Sequence, residues 1–314
     1  MKYTEFGLVN TSTMFKNAIQ GNYAIPAFNF YNMETLSAIL SAAREMQSPV
    51  ILAVSESALK YMGPDMLMGL IHGANIKPSE QIALHLDHGG SFEACRTAIE
   101  LGFSSVMIDA SKLPFNENAE LCKQVVDFAH NHNVSVEGEL GVLSGIEDEN
   151  TQSEFSSYTN PDDVEKFVHA TNIDSLAIAI GTSHGAYKRK SENEQLRFDI
   201  LDEVARRLPD FPLVLHGASS IPQNLIETIN KFGGKMSNAR GIDTTQLRTA
   251  TMKNVCKINV DSDLRLAMTA AIRQTMFEKP ENFNPRDYLG AARKLMIQTA
   301  SDEITNIMGS NNKL

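Results

Sequence analysis

The chain of 314 residues has no apolar run near the roughly 18 residues that a membrane span needs. Its first residues, MKYTEFGLVNTSTMF, have neither an apolar signal core nor an Arg/Ser-rich transit character. The expectation is a soluble, cytoplasmic protein. Basic residues are in deficit: 28 Lys and Arg stand against 38 Asp and Glu, for a formal net charge of −10. With no Lys/Arg cluster to offset this, a general nucleic-acid binder is excluded, because the phosphate backbone selects a basic footprint. The three cysteines, Cys95, Cys122 and Cys256, are scattered and odd in number, so they form neither a disulfide framework nor a CxxC metal knot. They read as reduced core residues. No fixed-period repeat, low-complexity segment or GxGxxG after the first strand is present.

What the chain does have is an alternation. Eight short apolar runs, AIPAFNF (24–30), PVILAVS (49–55), IALHLD (82–87), SVMID (105–109), VSVEGEL (134–140), SLAIAI (175–180), PLVLHG (212–217) and CKINVD (256–261), alternate with longer amphipathic segments. METLSAILSAAREM (33–46) follows a cap at Asn32. SFEACRTAIELG (91–102) starts at a Ser cap and ends at Gly102. Segments 117–132 and 161–171 are similar. Continuous apolar strands alternating with helices predict a parallel sheet covered on both faces, and eight such units predict an α/β fold, a (β/α)8 TIM barrel, as one domain over 1–314.

In such a barrel, chemistry sits at the C-terminal strand ends. Those ends read Asn29, Ser55, Asp87-His88, Asp109, Glu139, Gly181-Thr182-Ser183-His184, His216-Gly217 and Asn259-Val260-Asp261-Ser262. Three of the eight histidines, His88, His184 and His216, fall at the ends of strands 3, 6 and 7, which converge on one rim. Three neutral imidazoles with one open position are the pattern of a catalytic zinc site. His72, His130, His132 and His169 lie on helical stretches and read as solvated. His85 shares a strand face with Asp87 and reads as a residue of the barrel interior that orients a ligand. Asp109 and Glu139 fit two roles equally, acceptors for backbone N–H groups or alternative oxygen ligands of a moving metal. Glycine-rich turns at GTSHGAYK (181–188) and LHGASS (215–220), followed by NVDSD (259–263), fit a phosphate cradle after strands 6 to 8.

Taken together, LHLDHG (84–89), SVMIDAS (105–111), VSVEGELG (134–141), SGIEDE (144–149), AIGTSHGAYK (179–188), PLVLHGASS (212–220), KINVDSDLR (257–265) and NPRDYLGAAR (284–293) resemble the class II, metal-dependent fructose-bisphosphate aldolases, a family whose subgroup here includes tagatose-bisphosphate aldolases. The resemblance spans nearly the whole chain. It implies a TIM barrel with Zn2+ on His88, His184 and His216. Asp87 corresponds to the acid that protonates the aldehyde oxygen. Asp109 and Glu139 fall on second or alternative metal positions. Glu147 corresponds to a mobile-loop proton shuttle. Gly185, Lys188, Gly217, Ala218 and Ser219, with Asn259, Val260, Asp261 and Ser262, fall on contacts to dihydroxyacetone phosphate. Asn29 and Ser55 fall on contacts to the substrate chain. Arg265 and Arg286 match residues that hold the distal phosphate, one of them across a dimer interface. The same resemblance implies a monovalent cation (Na+ or K+), a homodimer or homotetramer, and a place in glycolysis and gluconeogenesis. Gly90 and Gly138 depart from the family's usual Ser/Thr and Ala.

The implied reaction is reversible cleavage of a ketose bisphosphate, fructose 1,6-bisphosphate ahead of its C4 epimer tagatose 1,6-bisphosphate. Asp261 and the region 286–293 are the suspects for that choice. Lys257 in strand 8 raises a Schiff-base alternative, which a three-histidine site makes redundant. A metal-dependent TIM-barrel hydrolase would carry an HxH pair on an early strand, and AFNF has none. A non-catalytic sugar-phosphate-binding protein would bind without turnover.

Overall fold

The computed structural model describes residues 1–147, 151–153, 157–187 and 195–314, with the backbone alone at 144–147 and 151–153. The expected barrel forms. Its strands are β1 (Ile25–Asn29), β2 (Val50–Ser55), β3 (Ile82–Gly89), β4 (Ser105–Ile108), β5 (Ser135–Leu140), β6 (Ser175–Ile178), β7 (Leu213–Leu215) and β8 (Val255–Val260). Each pairs in parallel with the next, and β8 closes the ring on β1 through Ile25–Lys257 to Phe28–Val260. Closure follows from composition: the strands are mostly β-branched and aliphatic and are buried along both faces, so both need cover. Outward residues such as Leu84, Val106 and Leu176 meet the helices, while inward ones fill the barrel.

The helices begin and end where their caps dictate. Met33–Met46 opens on Asn32, whose side chain accepts from the Thr35 N–H while Thr35 answers as a capping box. Phe92–Leu101 opens on Ser91 and stops at Gly102, φ 109°, a conformation that only glycine adopts without strain. Gly138 has a packing reason. A Cβ there would sit 3.2 Å from Ile173 and 3.3 Å from Phe167, so an alanine methyl would press on both side chains. Truncating the fully buried Phe167 to alanine would cost about 3–5 kcal/mol.

One element is absent from the sequence-based expectation. A three-stranded sheet joins Ser144–Glu147, Thr151–Ser153 and Ser183–His184, with Gly145 in register with His184. It ties the segment after β5 to the one after β6, over the strand ends. No helix among the described residues is long and apolar enough to cross a membrane.

Candidate functional site

Side chains alternate along a strand, so Asp87 and His88 of β3 should face opposite sides. Both nevertheless face the barrel mouth. Between Leu86–Val106 and Gly89–Ile108 the register of β3 against β4 shifts by one residue, a bulge. At that point His88 adopts φ 50°, a left-handed conformation costing a side-chain-bearing residue about 1–3 kcal/mol. The pair of glycines that follows does not make this turn. Gly89 is needed because its Cβ would lie 2.7 Å from the Met107 carbonyl oxygen, and the Gly90 N–H donates to Glu56 Oε1 at 2.7 Å.

His88 is the hub of the mouth. Its ring centroid lies 4.4 Å from that of His216 and 5.1 Å from that of His184, at 71° and 78°. Donor atoms of Asp87, His88 and His216 all lie within 4.8 Å of one another, as do those of His88, Asp109 and Glu139. His184 joins the cluster through its ring contact with His88.

Two of these imidazoles each lean on a carboxylate. His88 Nδ1 lies 3.1 Å from Asp109 Oδ2, and the Ser111 N–H and hydroxyl donate to Asp109 Oδ1 at 3.1 and 2.7 Å. Burial alone would raise the Asp109 carboxyl, but His88 and Ser111 hold it well below the usual range. His216 Nε2 lies 2.6 Å from Glu137 Oε1, so that nitrogen carries the hydrogen. His216 Nδ1 is buried and makes no hydrogen bond among the described residues, with Asp87 Oδ1 3.8 Å away. Burial, then the neighbouring His88 and Lys257, lowers the His216 pKa, so the ring is neutral. A neutral imidazole with a buried lone pair, beside a carboxylate and a second imidazole, is the donor set that a divalent metal of zinc type accepts.

Glu137 escaped the sequence reading, which singled out Glu139 alone. The signal was available: period two puts both on the inward face of β5. Glu137 in turn meets Lys257 Nζ at 2.8 and 3.1 Å, and Lys257 lies 3.3 Å from His85 Nε2, whose Nδ1 reaches Ser105 Oγ at 2.8 Å. Burial, then the Lys257 ammonium, lowers His85 to about 3, so it too is neutral. His85 and Lys257 are therefore interior residues under the mouth.

Asp87 is clamped. The Asn29 amide donates to Oδ2 and the Asn259 amide to Oδ1, both at 2.8 Å. Burial would raise this carboxyl, but His88 and the Lys257 ammonium keep it well below its ordinary value. Ser55 caps the helix Glu56–Met62, accepting from the Ala58 N–H at 3.3 Å. Asn29 and Ser55 thus both have partners within the protein.

The glycine turns stack. At Gly217, φ 59°, a Cβ would lie 2.6 Å from the carbonyl carbon and oxygen of Ser183, so the loops after β6 and β7 are in backbone contact. Gly185 also has positive φ, 83°. Ala218 and Ser219 are buried, and Ser219 Oγ accepts from the Asp261 N–H at 3.4 Å. Val260 ends β8, and Ser262 starts the helix Ser262–Glu278, whose N-terminal dipole favours an anion. Asp263, not foreseen, accepts from the Ser220 and Ile221 N–H groups at 2.7 and 2.8 Å and holds the loop after β7 to this helix.

Arg265 pairs with Asp261 at 2.8 Å and lies over the Tyr31 ring. Arg286 is exposed on the first turn of the helix Pro285–Asp302, against its own cap Asn284, and among the described residues no contact brings it to the mouth. Lys188 and the Glu147 side chain lie outside the described residues. Cys95, Cys122 and Cys256 are free and buried.

A closed parallel barrel with a histidine–carboxylate cluster on its C-terminal rim is the architecture of TIM-barrel metalloenzymes. The comparison with known families narrows this: the chain belongs to the family described as "Fructose-bisphosphate aldolase class-II", whose profile matches residues 9–313. It is 48% identical over 326 aligned residues to the fructose-bisphosphate aldolase of Treponema pallidum, covering 98% of both chains. It is 49% identical over 287 residues to that of Giardia intestinalis, covering 91% of this chain and 88% of the other. Among solved structures it is similar to the YdjI aldolase from Escherichia coli, with TM-score 0.77 and 30% identity over 98% of this chain and 99% of that one.

Proposed function

We propose that this chain cleaves fructose 1,6-bisphosphate reversibly to dihydroxyacetone phosphate and glyceraldehyde 3-phosphate, with a zinc ion held by His88, His184 and His216. The observation that carries this reading is the convergence of Asp87, His88 and His216 donor atoms within 4.8 Å, with the His216 lone pair left over. Bound zinc would polarise the C2 carbonyl and stabilise the negative charge that develops there. In cleavage, Asp87, ionised and oriented by Asn29 and Asn259, takes the proton of the C4 hydroxyl. The C3–C4 bond breaks, its electron pair moves toward the C2 oxygen, and C4 leaves as the aldehyde. Glu147, on the segment paired beside His184, returns a proton to C3. Asn259 Oδ1, buried without a hydrogen-bond partner, is an acceptor suited to a substrate hydroxyl. The loops at Gly185, Gly217–Ser219 and Val260–Ser262, with Lys188, receive one phosphate. Arg265 receives the other, with Arg286 from a second copy in a homodimer or homotetramer. Asp109 and Glu139 share His88 as a second metal position, and Na+ or K+ accompanies the phosphate. The role is glycolytic and gluconeogenic, in the cytoplasm.

The test is cleavage of fructose and tagatose 1,6-bisphosphates by the purified protein, before and after chelation and zinc return. Activity lost with chelator, restored by zinc and larger on fructose is expected. Activity that survives complete metal removal would overturn the mechanism, and a larger kcat/KM on tagatose would change the substrate.

A further inference from the structure

Below the mouth lies a chain of buried polar groups that the reaction does not use: Ser105, His85, Lys257 and Glu137, ending on His216. Lys257 is completely buried and Glu137 is 1% exposed. Such an ion pair is a weak source of stability, since the desolvation of both charges offsets their attraction, and apolar residues of similar volume often serve as well or better. Its presence under a candidate ligand therefore calls for another reason. Lys257 Nζ directs its hydrogens to Glu137 and to His85 Nε2, so the amine is held by acceptors and is not presented to the mouth as a nucleophile. Lys257 Nζ reaches both Glu137 oxygens, at 2.8 and 3.1 Å, from across the barrel, so the lysine faces Glu137 directly.

We propose that Lys257 is a positioning residue for the metal: it keeps Glu137 an anionic acceptor, which holds the hydrogen of His216 on Nε2 and leaves Nδ1 as the metal donor. This rests on the reading of His216 as a ligand. Without Lys257, Glu137 is a buried anion with no countercharge. It then either takes up a proton or draws water and neighbours inward, and in both cases His216 loses its fixed tautomer and orientation. The role runs through Glu137, so the effects of the two residues are coupled and not additive.

The experiment is a double-mutant cycle read by zinc affinity, from competition with a chromophoric chelator, on protein whose fold is checked by circular dichroism. Lys257→Met is expected to weaken zinc binding about 10–100-fold, as lost partners of metal ligands do. In a Glu137→Gln background, where the introduced amide oxygen still accepts from Nε2 but carries no charge, adding Lys257→Met should change the affinity by less than about threefold, the coupling expected of residues in contact. A folded Lys257→Met protein with wild-type affinity would overturn the proposal. So would a tenfold or larger effect of Lys257→Met in the Glu137→Gln background. If the single variant fails to fold, the double variant against Glu137→Gln decides alone, because neither contains an unpaired Glu137 carboxylate, and in Glu137→Gln the Lys257 amine keeps His85 Nε2 as an acceptor. A role in packing alone would lower the melting temperature of the metal-free protein and leave the affinity of the folded protein unchanged. His216→Ala is run in parallel: normal zinc binding there would sink the ligand assignment itself, a different failure.

Discussion

His88 and His216 stand 4.4 Å apart, ring to ring, and each rests on a carboxylate, yet the two pairs are built differently. At the rim, the His88 and Asp109 side chains are 9% and 18% exposed and 3.1 Å apart; at the floor, His216 and Glu137 are both 1% exposed and 2.6 Å apart. Asp109 is satisfied by neutral donors from Ser111 in its own turn, while Glu137 faces an ammonium from across the barrel. The difference follows depth. Near solvent, water and hydroxyls suffice to keep a carboxylate ionised; a fully buried one requires a countercharge. The backbone divides in the same way. His88 reaches its place through a bulge and a left-handed φ of 50°, whereas His216 follows β7 without a left-handed φ, the register shift of that strand lying at its start, between Leu213 and Val214. One imidazole is placed by backbone strain and the other by a buried side-chain network.

The strongest way to break this comparison is to remove its floor. His216→Ala should leave a folded barrel with less than stoichiometric zinc and turnover reduced roughly 10^4-fold or more, the order expected when several kcal/mol of metal stabilisation are lost. Metal analysis and fructose 1,6-bisphosphate cleavage on the same sample check both halves. Full zinc occupancy would mean that the two pairs are not halves of one centre.

Asp87→Asn tests the group between them. It keeps both imidazole–carboxylate pairs and one of the two asparagine clamps, the other having to turn its amide oxygen toward the new N–H, so the fold and the zinc content should be retained. Turnover should fall roughly 10^3-fold, the middle of the range for a lost proton-transfer group. Near-normal kcat would remove Asp87 from the proton path.

Much of this was legible in the chain, for physical reasons. Eight apolar runs with polar ends fix the number of strands and the rim on which chemistry sits. Asn32, Ser91 and Gly102 mark helix ends because capping is local chemistry. The bulge at His88 was not legible: HLDHGG shows glycines, and the natural inference is that they turn. The strain falls instead on the histidine, because the register against β4 is a tertiary fact. The Glu137–Lys257 pair was hidden for a related reason. Its members are 120 residues apart, and a lysine inside an apolar strand reads as an exception until its partner is seen. Arg286 shows the reverse case. The family motif assigns it to substrate, but the fold leaves it exposed beside Asn284, with no contact to the mouth among the described residues.

Acid acts on the floor by a smaller amount, as it does on the depressed Asp109 at the rim. Glu137 is buried, which would raise its pKa, yet Lys257 and His216 hold it well below the reference of 4.5. A carboxyl depressed in the folded state adds stability above its unfolded pKa and loses it as pH falls toward the folded value. Metal-free protein should therefore lose roughly 1 kcal/mol from Glu137 by pH 4, and continue downward as the pH falls. Denaturant melts of wild type and Glu137→Gln at pH 6 and pH 4 measure it. The variant is expected to be less stable at pH 6 and to lose less between the two. An identical acid loss in both would show that Glu137 does not hold its charge through Lys257.

The smallest effect belongs to the rim. Ser111→Ala deletes the hydroxyl that donates to Asp109 Oδ1 at 2.7 Å but keeps the backbone N–H at 3.1 Å. Asp109 lies close enough to solvent for water to take the vacated position, so the loss is one replaceable hydrogen bond, about 0.5–1.5 kcal/mol. Its consequence for zinc is indirect, through the orientation of Asp109 and then of His88, and a several-fold weakening is the ceiling. The same chelator competition that measures Lys257→Met measures this variant. A small effect at Ser111 beside a large one at Lys257 would mean that depth sets how strongly each supporting group acts on the metal. Equal effects would mean that the hydroxyl is as necessary as the buried ammonium, and that the His88 side also depends on a fixed side-chain network, not chiefly on the strained turn of β3.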